Sequence, residues 1–235
     1  MIFEVRTYTL KPGTVPQAEQ AFADKIAERV KYSPLAGFWR SEVGTLNQII
    51  HIWPYKDTNE RAKIRAEVVE KKVWPPAIAD FVVNMESKIL LGAPFSPNFA
   101  PGEHGGIYEF RTYTYATAMI PKVMDVWSKH VAARTALSPL IFAGYPDIGT
   151  LNQWVHVWAY KNMGERERIR GEAVAKGIWP PPRDPSIVML RQETMLAIPA
   201  KFSPLKLRRL RWRSRSGRSD PVWRARSTAS TWPSR

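Results

Sequence analysis

The sequence contains the same motifs twice, at a constant spacing. Residues 4–9 read Glu-Val-Arg-Thr-Tyr-Thr, and residues 109–114 read Glu-Phe-Arg-Thr-Tyr-Thr. The motif Gly-Thr-Leu-Asn-Gln occurs at residues 44–48 and again at residues 149–153, which is the same offset, 149 − 44 = 105. This offset is far longer than a solenoid repeat and close to the size of a small domain. The chain is therefore predicted to contain two copies of one domain.

Composition excludes several classes of function. The 235 residues include no cysteine, which excludes disulfides, zinc–thiolate sites and thiol catalysis. A Gly-rich phosphate loop and the common hydrolase motifs are absent, and the chain has only four histidines, so we expect no metal site. No stretch is long and apolar enough for a membrane helix, and the N-terminus lacks a signal or transit pattern. We therefore expect a soluble cytoplasmic protein with no membrane partner.

The positive charge is concentrated at the C-terminus. The net charge is +14, and residues 206–235 carry ten Lys or Arg against one acid, a net +9. This Ser- and Arg-rich segment has no sustained periodicity, so we predict that it is disordered. It is either an arm for RNA, DNA or acidic lipid or an extension without a function, and we favour the second interpretation. The remaining chain is only mildly basic, so nucleic acid is not an expected partner except through this tail.

Each copy is predicted to have the element order β-α-β-β-α-β, from strand alternation, helical periodicity and capping signals. In the first copy the strands are predicted at 2–10, 37–43, 48–55 and 84–91, and the helices at 15–31 and from the Asp57 N-cap to about residue 72. In the second copy the strands are predicted at 107–115, 142–148, 153–160 and 187–197, and the helices at 120–136 and 163–176. This order gives an antiparallel sheet with both helices on one face. The predicted fold class is α+β, with two tandem ferredoxin-like units.

The two units are expected to pair. We divide the chain into a first unit at 1–97, a linker at 98–106, a second unit at 107–205 and the tail at 206–235. The helices cover only one face of each sheet, so the two uncovered faces would pack on each other and close a barrel-like cavity. Pairing within the chain is the favoured arrangement, and a homo-oligomer that pairs units of different chains is the variant.

One face of each sheet carries the candidate site. Strand alternation places Phe3 and Ile50 on the same face, which we assign to the helices. The opposite face, expected to line the barrel cavity, then carries the ligand-binding candidates Arg6, Tyr8, His51 and Trp53 in the first unit and Arg111, Tyr113, His156 and Trp158 in the second.

The two histidines are the catalytic candidates. An imidazole that faces a cavity can act as a general base or bind haem. The alternative, slightly favoured, is a structural histidine that is hydrogen-bonded to Glu4 or Tyr8. Arg6 could orient an anionic substrate, but an ion pair with Glu4 is the simpler interpretation. The tyrosines and tryptophans of this face are expected to pack in the core rather than to bind.

The second helix of each unit carries two arginines that are four residues apart. Arg61 and Arg65 could hold an anion, as could their equivalents at positions 166 and 170. The alternative is a solvated face on which the arginines pair with Glu60 and Glu67, and we favour it.

Three motifs of the first unit resemble the NIPSNAP family. They are Glu-x-Arg-Thr-Tyr at residues 4–8, Trp-Arg-Ser-Glu-Val-Gly-Thr-Leu-Asn-Gln at residues 39–48, and His-x-Trp-x-Tyr at residues 51–55. The resemblance covers residues 2–97 and 107–204, and it implies the dimeric α-β barrel fold. Animal members of this family are mitochondrial proteins that are linked to mitophagy and vesicle trafficking through partner binding. The same barrel also serves cofactor-free monooxygenases, isomerases and haem enzymes.

Two functions follow from the residues and the resemblance. The favoured one is a protein that binds a small molecule or a protein partner without catalysis. The alternative is a cofactor-independent oxygenase or isomerase in which His51 or His156 is the base and Arg6 or Arg111 orients an anionic group. Haem binding through one of these histidines is a variant of the alternative, and otherwise no cofactor is expected.

Overall fold

The computed structural model describes residues 1–206, where the two copies form similar units. The first unit contains strands β1 (Ile2–Leu10), β2 (Gly37–Val43), β3 (Gln48–Tyr55) and β4 (Val82–Gly92) and helices α1 (Val15–Arg29) and α2 (Thr58–Glu70). The second unit contains strands β6 (Ile107–Tyr115), β7 (Leu140–Ile148), β8 (Gln153–Tyr160) and β9 (Met189–Pro199) and helices α3 (Ile120–Thr135) and α4 (Met163–Ala175). The predicted α+β class and element order are confirmed, and each predicted element is present.

Two very short strands were not predicted. Strand β5 (Gly102–Glu103) lies in the segment that we interpreted as a linker, and it pairs in parallel with β10 (Leu205–Lys206). Strands of two residues are too short for an alternation pattern, so the sequence gives no signal for them. The predicted disordered tail at 206–235 lies outside the described residues, apart from Lys206 at the end of β10.

The eight long strands form one closed barrel. Their order is β1-β3-β2-β9-β6-β8-β7-β4, and β4 returns to β1. The two units are joined twice, because β2 pairs antiparallel with β9 and β4 pairs antiparallel with β7. The two units thus pair within one chain, as the sequence analysis favoured. The four helices lie outside the barrel. None of the helices among residues 1–206 is long and apolar enough to cross a bilayer.

The interior of the barrel is a packed apolar core to which both units contribute. The first unit supplies Phe3, Trp39, Ile50, Ile52 and Leu90, and the second supplies Tyr108, Phe142, Val155, Val157 and Ala197. The rings of Trp39 and Tyr108 meet with centroids 5.5 Å apart, and those of Phe3 and Phe142 with centroids 5.5 Å apart. Close packing of this kind fills the barrel with side chains rather than with a ligand cavity.

The predicted assignment of the two sheet faces is therefore wrong. Phe3 and Ile50 line the barrel interior, whereas the face that carries Arg6 and His51 packs beneath the helices. Alternation separates the two faces of a strand but does not identify the face that the helices cover. The closed interior takes the apolar face because a charge there would lose its hydration without a path to water. Beneath the helices, long side chains can still extend to solvent.

Equivalent polar caps begin α2 and α4. The Asp57 carboxylate accepts hydrogen bonds from the backbone N–H groups of Asn59 and Glu60 at 3.0 and 2.9 Å, and Asn162 accepts from that of Glu165 at 2.9 Å. We expect Asp57→Ala to lower the free energy of unfolding by about 1 kcal/mol, because two backbone donors lose their partner. Asp57→Asn should change it far less, since Asn caps equally well. Urea denaturation measures both changes, and equal losses would contradict the capping role.

Candidate functional site

A fully buried carboxylate lies between the sheet and α2 in the first unit. Glu4 Oε1 accepts hydrogen bonds from three donors, namely Arg6 Nη1 at 2.8 Å, Arg61 Nη2 at 2.6 Å and Ser87 Oγ at 2.9 Å. Arg65 Nη1 lies 3.7 Å from Glu4 Oε2, beyond hydrogen-bonding distance. The expected ion pair between Glu4 and Arg6 is therefore present, and two arginines from α2 join it.

The second unit repeats this arrangement around Glu109. Its Oε1 accepts from Arg111 Nη1 at 2.8 Å, Arg166 Nη2 at 2.6 Å and Thr194 Oγ1 at 3.2 Å. Arg170 Nη1 lies 3.7 Å from Glu109 Oε2. The two units thus hold the same cluster of three arginines around one carboxylate, which we call the arginine cluster of each unit.

The predicted surface pairing on α2 is wrong. Glu60 accepts instead from the backbone N–H of Lys56, and Glu67 pairs with Lys71 four residues further on. Arg61 and Arg65 turn toward the sheet because Glu4 is buried there and needs compensating charge, which an exposed glutamate does not. Sequence spacing could identify partners only on the same helix, so the pairing between helix and strand was missed.

The arginines keep the buried carboxylates ionised. Burial raises the pKa of Glu4, but the hydrogen bond from Arg61 and the charges of Arg65 and Arg6 outweigh it and lower the pKa to about 2. Burial also raises the pKa of Glu109, but the arginines of the second cluster outweigh this effect and lower the pKa. Both carboxylates are therefore charged at neutral pH.

Both candidate histidines are enclosed between the sheet and the first helix of their unit. Trp53 Nε1 donates to His51 Nδ1 at 2.7 Å, and Trp158 Nε1 donates to His156 Nδ1 at 2.8 Å. Because Nδ1 accepts, Nε2 of the neutral ring carries the proton. Within residues 1–206 neither Nε2 has a hydrogen-bond partner. The predicted hydrogen bond to Glu4 or Tyr8 is wrong, since the tryptophan two residues further along the same strand takes that role.

Burial keeps both imidazoles neutral. Burial, together with the nearby charge of Arg6, lowers the pKa of His51 to about 3. Burial and the charge of Arg111 lower the pKa of His156 well below its ordinary value. The His51 ring lies edge-on to the Tyr8 ring with centroids 4.9 Å apart, and equivalent contacts surround His156. A neutral ring packed in this way agrees with the structural interpretation, and the predicted catalytic role stays a prediction.

The other candidates of this face are held by arginines. Arg6 Nε donates to the Tyr8 hydroxyl at 2.7 Å, and Arg111 Nε donates to the Tyr113 hydroxyl at 2.6 Å. Each tyrosine oxygen thus belongs to the arginine cluster of its unit. The expected packing role of the tyrosines is combined with a satisfied hydroxyl group.

Two further arginines were missed by the sequence analysis. Arg29 at the end of α1 places its guanidinium 4.1 Å from the Trp53 ring centroid, and Arg134 lies 4.3 Å from that of Trp158. Both are buried, and Arg29 donates to the Tyr55 hydroxyl at 3.1 Å. The available signal was that both arginines recur at the offset of 105 near the end of an amphipathic helix.

A cleft opens on the helix side of the second unit. It has a volume of about 540 Å³ and lies between β6, α3 and the loop that leads to β9. Its walls include the aromatic side chains of Tyr113, Tyr115, Trp127 and Trp179, prolines such as Pro181, and the polar residues Arg183, Asp184 and Gln192. Of the sequence-predicted candidates, only Tyr113 lines this cleft, and the cleft itself was not predicted.

The equivalent space in the first unit is filled. Ile78 and Trp74 are both buried there in the core beneath α1, and the Trp74 ring meets the Phe22 ring with centroids 5.2 Å apart. In the second unit the corresponding tryptophan, Trp179, is only partly buried, and Arg183 of the loop that follows is exposed. The two units therefore differ in this loop more than in the sheet.

The length of the loop accounts for the difference. Phe3 pairs with Leu90, and its counterpart Tyr108 pairs with Ala197, so the offset here is 197 − 90 = 107. The Trp-Pro-Pro motifs still differ by 105, which places two extra residues between Trp179 and β9. The longer loop is rich in proline, and its Ile187 is only partly buried whereas Ile78 of the first unit is buried, so the cleft stays open.

The fold and the paired sites define a dimeric α-β barrel protein whose two halves are fused in one chain. A family model described as NIPSNAP matches residues 3–97 and 108–204, and the chain belongs to the NIPSNAP family.

Similar proteins come from several organisms. Protein NipSnap homolog 3B of Homo sapiens is 29% identical over 222 residues, which cover 87% of this chain and 85% of that protein. A protein NipSnap homolog of Dictyostelium discoideum is 40% identical over 86 residues, 37% of this chain and 39% of that protein. The solved structure of a putative monooxygenase from Fusobacterium nucleatum has a TM-score of 0.60 at 10% identity, and it covers 88% of this chain and 98% of its own. The last similarity concerns the fold alone.

Proposed function

We propose that the protein binds a small aromatic carboxylic acid in the cleft of the second unit and does not catalyse a reaction on it. The observation that carries this proposal is the open cleft, whose volume of about 540 Å³ is in the range typical of small-molecule sites. The Trp127 and Trp179 rings line the cleft and contact each other edge to face, with centroids 4.7 Å apart. Such walls favour an aromatic ring as the buried part of the ligand.

The polar residues of the cleft support an anionic group on the ligand. Gln192 and Arg183 both line the cleft. Asp184 is engaged by the backbone N–H of Ser186 at 2.8 Å, so its charge is partly satisfied within the loop. Arg183 has no acidic partner within 4.0 Å in the described part of the chain. A carboxylate at the open end of the cleft would pair with it.

The alternative of an oxygenase- or isomerase-type enzyme has less support. Among the residues that the structure describes, neither His51 nor His156 lines the cleft or the barrel interior. A general base works best with a pKa near the working pH, and the pKa of His51 is about 3. Haem does not fit these histidines well, because Nδ1 is occupied by a tryptophan and Nε2 is enclosed. Haem binding, a protein partner, a homo-oligomer and the cytoplasmic location all stay predictions.

Tryptophan fluorescence tests the proposal, because two tryptophans line the cleft. The full chain is titrated with indole-3-acetate, phenylacetate and haemin. Val126→Trp is the test variant, since Val126 is a half-buried lining residue of α3 and the larger ring would fill the cleft. Val174→Trp is the control, because Val174 is exposed on α4 away from the cleft.

We expect an aromatic acid to bind the wild type and the control with equal affinity, and the Val126→Trp variant at least about tenfold more weakly, a difference of 1.4 kcal/mol. Equal binding to all three proteins would place the ligand elsewhere and refute the proposal. Haemin binding that survives Val126→Trp but is lost in His51→Gln/His156→Gln would instead support the alternative.

A further inference from the structure

The arginine clusters carry more positive charge than their carboxylates compensate. In the first unit Arg6, Arg61 and Arg65 surround Glu4, so three positive charges face one negative charge. Within residues 1–206 no other acidic side chain lies within 4.0 Å of these arginines. The surplus of two charges is held close to a buried group, where charge is costly to leave uncompensated.

The second cluster has the same surplus. Arg111, Arg166 and Arg170 surround Glu109, and no second carboxylate in the described part of the chain joins them. Both helix positions keep arginine in both units, although other residues between them change, such as Ala62 to Glu167 and Lys63 to Arg168. Neutralising one carboxylate requires one arginine. The repeated excess therefore indicates that these arginines bind something in addition to the glutamate.

The two arginines of each second helix are placed to receive a ligand from solvent. Arg61 and Arg65 are one turn apart on α2, and their side chains are 27% and 35% exposed. Arg61 is fixed by its hydrogen bond to Glu4, and its Nε is buried without a partner among the described residues. Arg65 makes no hydrogen bond to Glu4, so its planar array of donors is available.

We infer that each unit binds one phosphoryl group of a small phosphate or phosphate ester at this pair of arginines, Arg61 with Arg65 and Arg166 with Arg170. A dianion matches the net charge of +2 in each cluster, and the planar guanidinium matches phosphate oxygens in a bidentate geometry. Glu4 and Glu109 hold the arginines from beneath and reduce the number of rotamers that the ligand has to fix. The inference does not depend on the cleft, because the first unit has the cluster while its cleft is filled.

Isothermal titration of the full chain with inorganic phosphate at low ionic strength tests this inference. The test variant is Arg65→Gln/Arg170→Gln. The matched control is Lys63→Gln/Arg168→Gln, which removes the same charge from the same two helices at exposed positions outside the clusters. We expect two phosphate sites per chain. Affinity should fall at least tenfold in the test variant and stay unchanged in the control, whose clusters are intact.

Equal weakening of phosphate binding in the test and control variants would show general electrostatic attraction and refute the sites. A wild-type protein that does not bind two phosphates per chain would also refute them. Arg65→Lys/Arg170→Lys keeps the charge but removes the planar donors, so it should also weaken binding, and it serves if the Gln variant does not fold. Vesicles with phosphatidic acid provide a second arm. If the wild type associates with these vesicles and the test variant loses this association as it loses free phosphate, the source of the phosphoryl group is a lipid headgroup.

Discussion

Glu4→Gln is expected to lower the free energy of unfolding by about 3 kcal/mol, among the larger effects of a single substitution in this chain. Glu4 is fully buried, and its Oε1 accepts three hydrogen bonds. The amide keeps the shape of the side chain but leaves three arginines facing each other without a counter-charge. Partial exposure of Arg61 and Arg65 screens some of this repulsion, so the expected loss is near the lower end of the range for a broken buried pair.

Urea denaturation at pH 7 measures the loss, and the chain contains its own controls. Glu109→Gln should behave much like Glu4→Gln because three equivalent arginines surround its carboxylate, although Glu109 Oε2 also accepts from the Tyr160 hydroxyl at 3.2 Å. Glu67→Gln removes a carboxylate that pairs with Lys71 on the surface of α2, and it should change the stability by less than about 0.5 kcal/mol. Adding Arg65→Gln to Glu4→Gln should restore part of the loss. A change below about 1 kcal/mol for both buried glutamates would contradict this account.

The element order could be predicted because its signals are local. Alternation in β1 and the Asp57 cap of α2 are readable from neighbouring residues, and the repeat at an offset of 105 confirms them because each signal occurs twice. The repeat also predicted pairing within the chain, since one chain supplies both sheets. Which sheet face the helices cover could not be predicted, because both faces of β3 carry large residues: Ile50 and Ile52 on one, His51 and Trp53 on the other. That choice depends on where charged groups can still be compensated.

The candidate site was predicted in part. Strand parity correctly grouped Arg6, Tyr8 and His51 on one face, because residues on one strand, or on neighbouring strands in register, share a face by geometry. The pairing of the α2 arginines with Glu4 was missed, since it depends on how the helix packs over the sheet. The cleft was missed for a different reason. Its signal is the spacing of the repeated Phe-Ser-Pro motif, which occurs at residues 95–97 and 202–204. This offset, 202 − 95 = 107, exceeds the offset of 105 of the other motifs by two residues, and the excess can be interpreted only when the strands are aligned.

The buried histidines are expected to make the stability of the protein strongly dependent on pH. The pKa of His51 falls to about 3 in the folded state, from 6.5 in the unfolded chain, because burial and Arg6 disfavour the charged ring. The unfolded state therefore binds more protons than the folded state below pH 6.5. The sign follows from linkage: the contribution is fully present above pH 6.5 and is lost as the pH falls toward 3. The pKa of His156 is lowered in the same direction.

Between pH 7 and pH 5 the protein should lose about 2 kcal/mol of stability through His51, and His156 should add a further loss in the same direction. Urea denaturation at pH 7, 6 and 5 measures this slope. Glu4 adds little in this window, because its contribution is lost only below the unfolded pKa of 4.5, as the pH approaches its folded pKa of about 2.

His51→Gln/His156→Gln provides the decisive comparison for the pH slope. The variant leaves His104 and His130 in place and still offers an amide oxygen that can accept from the tryptophan N–H groups. It should be less stable than the wild type at pH 7, since glutamine does not reproduce the ring contacts, but nearly independent of pH between 7 and 5. A variant that keeps the wild-type slope would mean that the imidazoles take up protons in the folded state and are therefore accessible to water. That result would weaken their structural role and renew the case for a histidine that exchanges protons with a ligand.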